Sequence, residues 1–512
     1  MTVTPSSVPT AALPVETTLG NLAVRLEHLA QQGGWLGQTA YIDGAQSVTY
    51  EAIYVQVHQI AAALRGSGVR RGDRVLLALP DEISFVATFL GILRIGAVAV
   101  PVNTFFHPDE LRLSEELAEA ALVVTEPSLR GVFRGRTTTP TDLIAGNSST
   151  DDSAAVVPDD APAFAVFTSG TTGAPRLCFH MHGDAAYFDQ AIGSVLSLEV
   201  GEICYSVSRM YFSFGLDNSL LLPLQRGATV VLTPQRPDES SALAVLRQHR
   251  VSVLFAQPSF YARILAHPDA DTLARLRLAV VAGEMLPRPT EDRLRALLGS
   301  SLVNAWGTSE IGNAVLANRP DRITPYSLGQ VLPPYRARVI DDRGEPLQDG
   351  SIGELQISGP TIGPGVARGS LPPARLTADE WFTTGDSAHV RDGVVWLHGR
   401  ADDIEIVAGA NVHPVEVEDL ITAIAGVREA AVCAVRRANG VTTLRAYVVT
   451  ELNDDRHHEL TALILSTTRS SLTWYKVPED VEYIDSLPRN GTGKILRRAL
   501  RERPEAAPRG TA

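Results

Sequence analysis

Cysteine is scarce in this chain of 512 residues, where Cys178, Cys204 and Cys433 are the only three. Thiols so few and so far apart exclude a disulfide framework and the paired-cysteine spacing of a zinc ribbon, which fits a reducing cytoplasm. No apolar run reaches the length of a membrane span, and the N-terminus lacks the basic start and apolar block of a signal peptide. The reading is a cytosolic protein without a membrane partner. Basic residues are in the minority, 45 Lys and Arg against 58 Asp and Glu for a net charge of −13, and they are scattered along the chain. That excludes an extended nucleic-acid surface, because phosphate binding relies on clustered cations. One cluster, Arg497, Arg498, Arg501 and Arg503, reads as a solvated helix face. Internal repeats, heptads and low-complexity blocks are absent, and so is the Gly-x-Ser-x-Gly elbow of a serine hydrolase.

What is present is an ordinary globular composition, 45% hydrophobic and 20% charged. The length exceeds what one core serves, so at least two domains are expected. Apolar β-rich runs (Arg74–Leu79, Val98–Val102, Leu278–Val281) alternate with helical patterns (Glu51–Ser67, Ser84–Arg94, Pro289–Leu298), the rhythm of a large α/β domain. The stretch 137–162, rich in Thr, Ser, Asp and Pro, reads as a surface connection before a buried strand at 164–167. After Arg400 the pattern changes to a helix over 415–424, strands over 430–435 and 444–449, and a helix over 458–472. This is a compact α+β unit of ordinary domain size. The expected organisation is therefore frayed ends at 1–14 and 504–512, a large domain over 15–401 and a small one over 402–503.

The segment Phe167-Thr-Ser-Gly-Thr-Thr-Gly-Ala-Pro-Arg176 follows the buried strand. Its hydroxyls and backbone N–H groups suit a phosphate chain, and Gly170 and Gly173 permit close approach. It is not a Walker loop, since the Gly-Lys-Ser/Thr ending is missing. It resembles the phosphate-binding signature of the adenylate-forming superfamily of acyl-CoA ligases, adenylation domains and luciferases. Four further motifs resemble that family's in the same order: Trp306-Gly-Thr-Ser-Glu310, Phe382-Thr-Thr-Gly-Asp386, Gly399-Arg-Ala-Asp-Asp403 and Pro488-Arg-Asn-Gly-Thr-Gly-Lys494. Phe212-Ser-Phe-Gly-Leu-Asp-Asn218, Ala282-Gly-Glu-Met-Leu-Pro287 and Gly409-Ala-Asn-Val-His-Pro414 are most similar to benzoate- and halobenzoate-CoA ligases.

The resemblance implies an α/β fold with a large N-terminal adenylate-forming domain and a smaller, mobile α+β C-terminal domain. The implied activity makes an acyl-AMP from an acid and ATP with Mg²⁺, then passes the acyl group to coenzyme A. It assigns Thr168, Ser169, Gly170, Thr171, Thr172, Gly173 and Arg176 to the phosphate loop, and Lys494 to the first half-reaction. Glu310 falls to Mg²⁺, a hard cation that prefers carboxylate oxygen, with Thr308 and Ser309 on the same phosphate. Ala282, Gly283, Glu284, Asn304, Ala305, Trp306 and Gly307 wall the adenine and AMP slot, while Asp386 and Arg400 take the ribose. Phe212, Asn218, Gln257, Ser259 and Gly312 shape an apolar acid pocket. Asp402 is the hinge, Gly409 lines the pantetheine tunnel, and Tyr475 and Lys476 are candidates for the CoA nucleotide. Cys178, His180 and His182 alternate on one strand face but are not read as a metal site; His180 and His182 are read as lining the base of the loop or the acid pocket.

The sequence departs from the family at Arg176-Leu177, where Lys-Gly is usual. Arg is not interchangeable with Lys at a tight phosphate site. Leu in place of Gly costs about 1–2 kcal/mol wherever φ must be positive. Three readings stay open: a complete ligase, an enzyme that only converts a supplied acyl-AMP to acyl-CoA, and an adenylation enzyme that loads a carrier protein. The identity of the acid and the oligomeric state are not legible.

Overall fold

The computed structural model describes residues 20–147, 149–169, 175–363, 376–377, 380–400, 405–407, 410–436, 442–489 and 495–503. The expected frayed ends 1–14 and 504–512 lie outside these residues, as do Gly170, Thr171, Thr172, Gly173, Asp402, Gly409 and Lys494. Of Ser169 the backbone alone is described.

Two sheets build the large N-terminal domain. A six-stranded sheet runs in the spatial order Thr137–Thr138, Leu122–Thr125, Arg74–Ala78, Val98–Pro101, Pro162–Ser169, Pro175–Met181. Its neighbours are parallel except for the closing hairpin. The strands at 74–78 and 98–101 are buried almost throughout, which is why they read as unbroken apolar runs rather than alternating ones. Helix Ile83–Arg94 is likewise apolar on nearly every face, because it lies in the core. Helix Tyr50–Gly66 starts where Thr49 Oγ1 accepts from Ala52 N–H, and it places Arg65 in its last turn, against the helix dipole.

The second sheet has thirteen strands among the described residues. In spatial order its parallel part is Thr39–Asp43, Thr229–Leu232, Ile203–Ser206, Val253–Ala256, Leu278–Val281 and Leu302–Gly307. Beyond Leu302–Gly307 it continues as an antiparallel region containing Ala314–Ala317, Val394–Arg400 and Phe382–Arg391. The smaller C-terminal domain has a sheet of Val427–Arg436, Thr442–Thr450 and Asp480–Tyr483, covered by helices Pro414–Thr422 and His457–Ser471. Val417, Ile421, Val432, Ala446, Val448 and Ile464 are its buried centre. No helix among the described residues is long and apolar enough to cross a membrane.

Two expectations need correction. The connection at 137–162 carries structure of its own: Thr137–Thr138 adds an edge strand, and Thr139 caps a short helix, Pro140–Ala145, by accepting from Asp142 N–H. The arginine cluster is not simply a solvated face. Arg497 is buried and grips Glu418 through both guanidinium nitrogens at 2.6 and 3.0 Å, and Arg501 pairs with Glu405. The short helix Arg497–Arg501 packs onto the small sheet, so its inner cations need carboxylate partners.

His182 proves to be an anchor for the first described helix. Its Nδ1 accepts from Leu22 N–H at 3.1 Å, and its carbonyl accepts from Arg25 at the start of helix Leu22–Gln32. The ring is fully buried, and burial pushes its pKa down to about 4. Since an unfolded histidine titrates near ~6.5, the unfolded chain binds the extra proton between that pH and about 4, and stability falls as the pH falls through that window. His182→Gln is expected to remove on the order of 3 kcal/mol of that acid sensitivity. Urea unfolding of the large domain at pH 7 and pH 4 measures it; an unchanged pH dependence in the variant would show that His182 does not couple protons to folding.

Candidate active site

Ligands of open α/β sheets bind beyond the carboxyl ends of the strands. Here the neighbouring parallel strands Val253–Ala256 and Leu278–Val281 end level, Ala256 pairing with Val281, while Leu302–Gly307, in register with them at Asn304, runs three residues further. The residues that follow, Gln257, Ala282, Gly283, Trp306 and Gly307, line one cleft of about 1500 Å³. Phe212, Ser259, Glu284, Ala305, Thr308, Ser309, Glu310 and Gly312 line it as well. Glu284 is held by Ser259, which donates its N–H at 3.1 Å and its hydroxyl at 2.9 Å; burial raises the Glu284 pKa, and Arg489 from the small domain opposes that.

The facing wall comes from the antiparallel region. Asp386 is buried, and Arg400 on the paired strand donates to Asp386 Oδ1 at 3.1 Å and to Thr384 O at 2.9 Å. Gly385 has φ +72°, and a Cβ there would lie 2.6 Å from the Arg400 guanidinium, so glycine lets the arginine close over the turn. The pair presents an acceptor and a fork of donors at one point, which suits a vicinal diol.

The small domain covers the cleft with Val415, Glu418, Asp419 and Thr422 of its first helix. Across the junction Arg288 Nε stands 3.4 Å from Asp419 Oδ2; burial raises the Asp419 pKa to about 6, against the pull of Arg288. Beside it His398 Nε2 lies 2.8 Å from His389 Nδ1, and the His398 ring is 5.5 Å from that of His413. Burial lowers His398 to about 4.

Thr168 and Arg176 pair in register at the mouth of the hairpin that carries the phosphate loop, and both line the cleft. Leu177 pairs with Phe167, is 3% exposed and belongs to the apolar layer with Val100, Ala165 and Phe179. Its backbone is ordinary strand and has no positive φ, so the strain that leucine would bring to a left-handed position does not arise.

Four candidates are placed elsewhere. Asn304 is buried, donates to Ser327 O at 3.1 Å and does not line the cleft. Asn218 is buried and donates to Phe214 O at 2.7 Å. Tyr475 packs against the small-domain core, and Lys476 Nζ pairs with Glu416 at 2.6 Å; neither lines the cleft. His180, read from the sequence as lining the base of the loop or the acid pocket, reaches Ser309 behind the wall. Sequence reasoning missed Asp217, which is buried there with neither carboxylate oxygen partnered among the described residues; burial and the nearby Asp184 raise its pKa.

Two family descriptions match the chain: AMP-binding enzyme over residues 27–369 and AMP-binding enzyme C-terminal domain over 416–494. The chain is 34% identical over 498 residues to a p-hydroxybenzoic acid–AMP ligase of Mycobacterium marinum, covering 95% of this chain and 70% of that protein. It is 32% identical over 488 residues to benzoate–CoA ligase of Thauera aromatica, covering 91% and 92%. Among solved structures it resembles a benzoate CoA ligase from Burkholderia xenovorans, with a TM-score of 0.84 at 28% identity over 94% of this chain and 100% of the other. An anthranilate CoA ligase in complex with anthranoyl-AMP gives 0.86 at 26% identity, over 96% and 98%.

Leu177 thus earns its place by packing. Leu177→Gly is expected to cost at least the ~2–5 kcal/mol of a buried Leu→Ala change, without speeding any phosphate chemistry. Denaturant unfolding and acid-dependent pyrophosphate exchange on the same sample test this; faster exchange in the variant would mean that leucine obstructs the loop.

Proposed function

The chain belongs to the AMP-binding enzyme family of acid–CoA ligases, and from that premise we propose that it joins an aryl carboxylic acid to coenzyme A through an acyl-AMP. The observation that carries this reading is the opposition of Asp386 and Arg400 to Thr308, Ser309 and Glu310 across one cleft, with a largely apolar recess beside them.

In the first step an oxygen of the acid attacks the α-phosphorus of ATP, and the bond to pyrophosphate breaks. Positioning and charge neutralisation dominate such a transfer. Asp386 and Arg400 hold the ribose, while Ala282, Gly283 and Trp306 enclose the base. Thr308 suits the α-phosphate, since its Oγ1 has no hydrogen-bond partner among the described residues. Glu310 fits Mg²⁺: its carboxylate is on the cleft wall and its backbone carbonyl is fixed by Gly363 N–H at 2.9 Å. The ion, when bound with ATP, offsets phosphate charge. Lys494, in the same reading, neutralises the approaching carboxylate.

In the second step the CoA sulfur attacks the acyl carbon and AMP leaves with the oxygen gained in the first. Rotation of the small domain about Asp402 would exchange Lys494 for a tunnel past Gly409, with Phe212 between acid and thiol. The acid lies against Phe212, Gln257, Ser259, Gly283 and Gly312, neutral residues suited to an aromatic body. The ordinary strand geometry of Leu177 supports retention of adenylation and weighs against an enzyme confined to thioester formation.

A second reading has its own support. One relative is named as an acid–AMP ligase, and Lys476 is occupied by Glu416 rather than open to a CoA phosphate. Release of the acyl group to a carrier protein is that alternative.

Purified protein with MgATP and a panel of benzoates, hydroxybenzoates and aminobenzoates is expected to release pyrophosphate only when acid is present, and to form a thioester when CoA is added. A synthetic acyl-AMP should be converted with CoA as well. Thioester formation on a pantetheinylated carrier but not on CoA would favour the second reading; acyl-AMP turnover without any pyrophosphate release would leave only the transfer half.

A further inference from the structure

The turn that carries Thr308, Ser309 and Glu310 is held by three successive carbonyls. Glu310 O accepts from Gly363 N–H at 2.9 Å, Ile311 O accepts from Thr361 Oγ1 at 2.7 Å, and Ser309 O lies 2.9 Å from His180 Nε2. The first two partners come from the segment after strand Ile352–Ser358. The third comes from strand Pro175–Met181, which leaves the phosphate loop. His180 is therefore the one described side chain that bonds the two phosphate-facing segments to each other directly.

A carbonyl oxygen can only accept, so His180 Nε2 carries the proton and donates it to Ser309 O. The other nitrogen faces Asp184, with Nδ1 3.4 Å from Oδ2, and that oxygen also accepts from Met181 N–H at 2.9 Å. With the proton on Nε2, Nδ1 is a bare acceptor and makes no hydrogen bond to that carboxylate among the described residues; the ring is held by packing, with Phe164 and Phe188 against it at centroid distances of 5.0 and 6.0 Å. The ring is fully buried. Its other edge lies directly under Gly312, whose φ is +97° and where a Cβ would stand 2.7 Å from His180 Cε1 and 2.5 Å from Phe188 Cζ. The acid pocket wall and the phosphate-facing turn therefore rest on the same imidazole.

We propose that His180 is a positioning residue for adenylation: its Nε2–H donates to Ser309 O and sets the Thr308–Glu310 turn relative to the hairpin of Thr168 and Arg176, with Phe164 and Phe188 holding the ring. The inference rests on the ligase reading above, and it adds a role to a residue that touches neither ATP nor acid. Positioning errors of about 1 Å cost roughly 100-fold in rate, so a loosened turn should lower the rate of adenylation and the affinity for MgATP.

The test compares the parent with His180→Gln, whose amide nitrogen stands the same number of bonds from Cβ as Nε2, and with His180→Phe, which fills the space without a donor. His180→Asn, polar but too short to reach Ser309, replaces the phenylalanine variant if that one does not fold. Acid-dependent pyrophosphate exchange is expected to fall about 100-fold in His180→Phe or His180→Asn and to recover at least tenfold of that loss in His180→Gln, at equal melting temperatures. MgATP affinity by calorimetry, which needs no turnover, is expected to follow the same order. Asp184→Asn can still accept from Met181 and can donate to Nδ1, so it is expected to stay within threefold of the parent. Equal MgATP affinity in all His180 variants, or a glutamine variant as impaired as the phenylalanine one, would overturn the assignment; so would a 100-fold loss in Asp184→Asn, which would place the effect in the carboxylate charge. Absence of exchange in the parent speaks against the ligase reading alone, because the ranking of MgATP affinities still decides for or against His180.

Discussion

The parallel ladder from Val253–Ala256 through Leu278–Val281 to Leu302–Gly307 is the constraint on which the site depends. The first two strands end level and their backbone leaves the sheet there, while the third runs on past them to pair with Ala314–Ala317. Each exit needs conformations or small volumes that a strand interior does not, and the chain supplies Gly283 with φ +90°, Gly307 and Gly312. Gly307 admits no Cβ, since the Asn313 carbonyl oxygen would stand 2.2 Å away. The flat slot is thus a consequence of how the sheet terminates.

A sheet edge alone offers little charge, and the ligand read from the motifs carries several. The charge is brought from outside the ladder. Asp386 and Arg400 come from the antiparallel extension, Arg176 from the other sheet's hairpin, and Glu418 and Asp419 from the small domain. Several are tied by a partner that limits their freedom, as Arg400 is by Thr384 O or Glu418 by Arg497. The junction is built less firmly. Arg288 and Asp419 meet at 3.4 Å, and His389, His398 and His413 stack near them with depressed basicity. A partly exposed ion pair of that length contributes little, which suits the domain rotation proposed above.

Much of this was legible from the chain. Helix Tyr50–Gly66, helix Arg288–Leu298 and strand Leu278–Val281 lie within a residue or so of where periodicity placed them. Ordered motifs pointed to the cleft residues because loops at strand ends keep their spacing from the strands. What could not be read was which way a side chain turns. Asn304 sits in a motif yet is held by Ser327, whose carbonyl accepts from its amide from a loop 23 residues further along the chain. Arg497 looked like a surface cation until Glu418, 79 residues earlier in the chain, proved to be beside it. Long-range pairing has no local signature.

The departure at Arg176-Leu177 shows how a motif can mislead and inform together. Glycine after the basic residue suggests a backbone that needs freedom, but the strand at Leu177 is regular and its partner Phe167 is directly across the hairpin. Once the backbone has no positive φ, a leucine there gains burial with Val100, Ala165 and Phe179 that glycine would forgo, worth about 1.5–3 kcal/mol for a fully buried side chain. A firmer hairpin base then bears on the neighbouring cation. Arg176 emerges from the same strand into the cleft opposite Thr168, with a planar fork in place of a mobile ammonium. His180, four residues further along that strand, ties the same hairpin to the turn at Ser309.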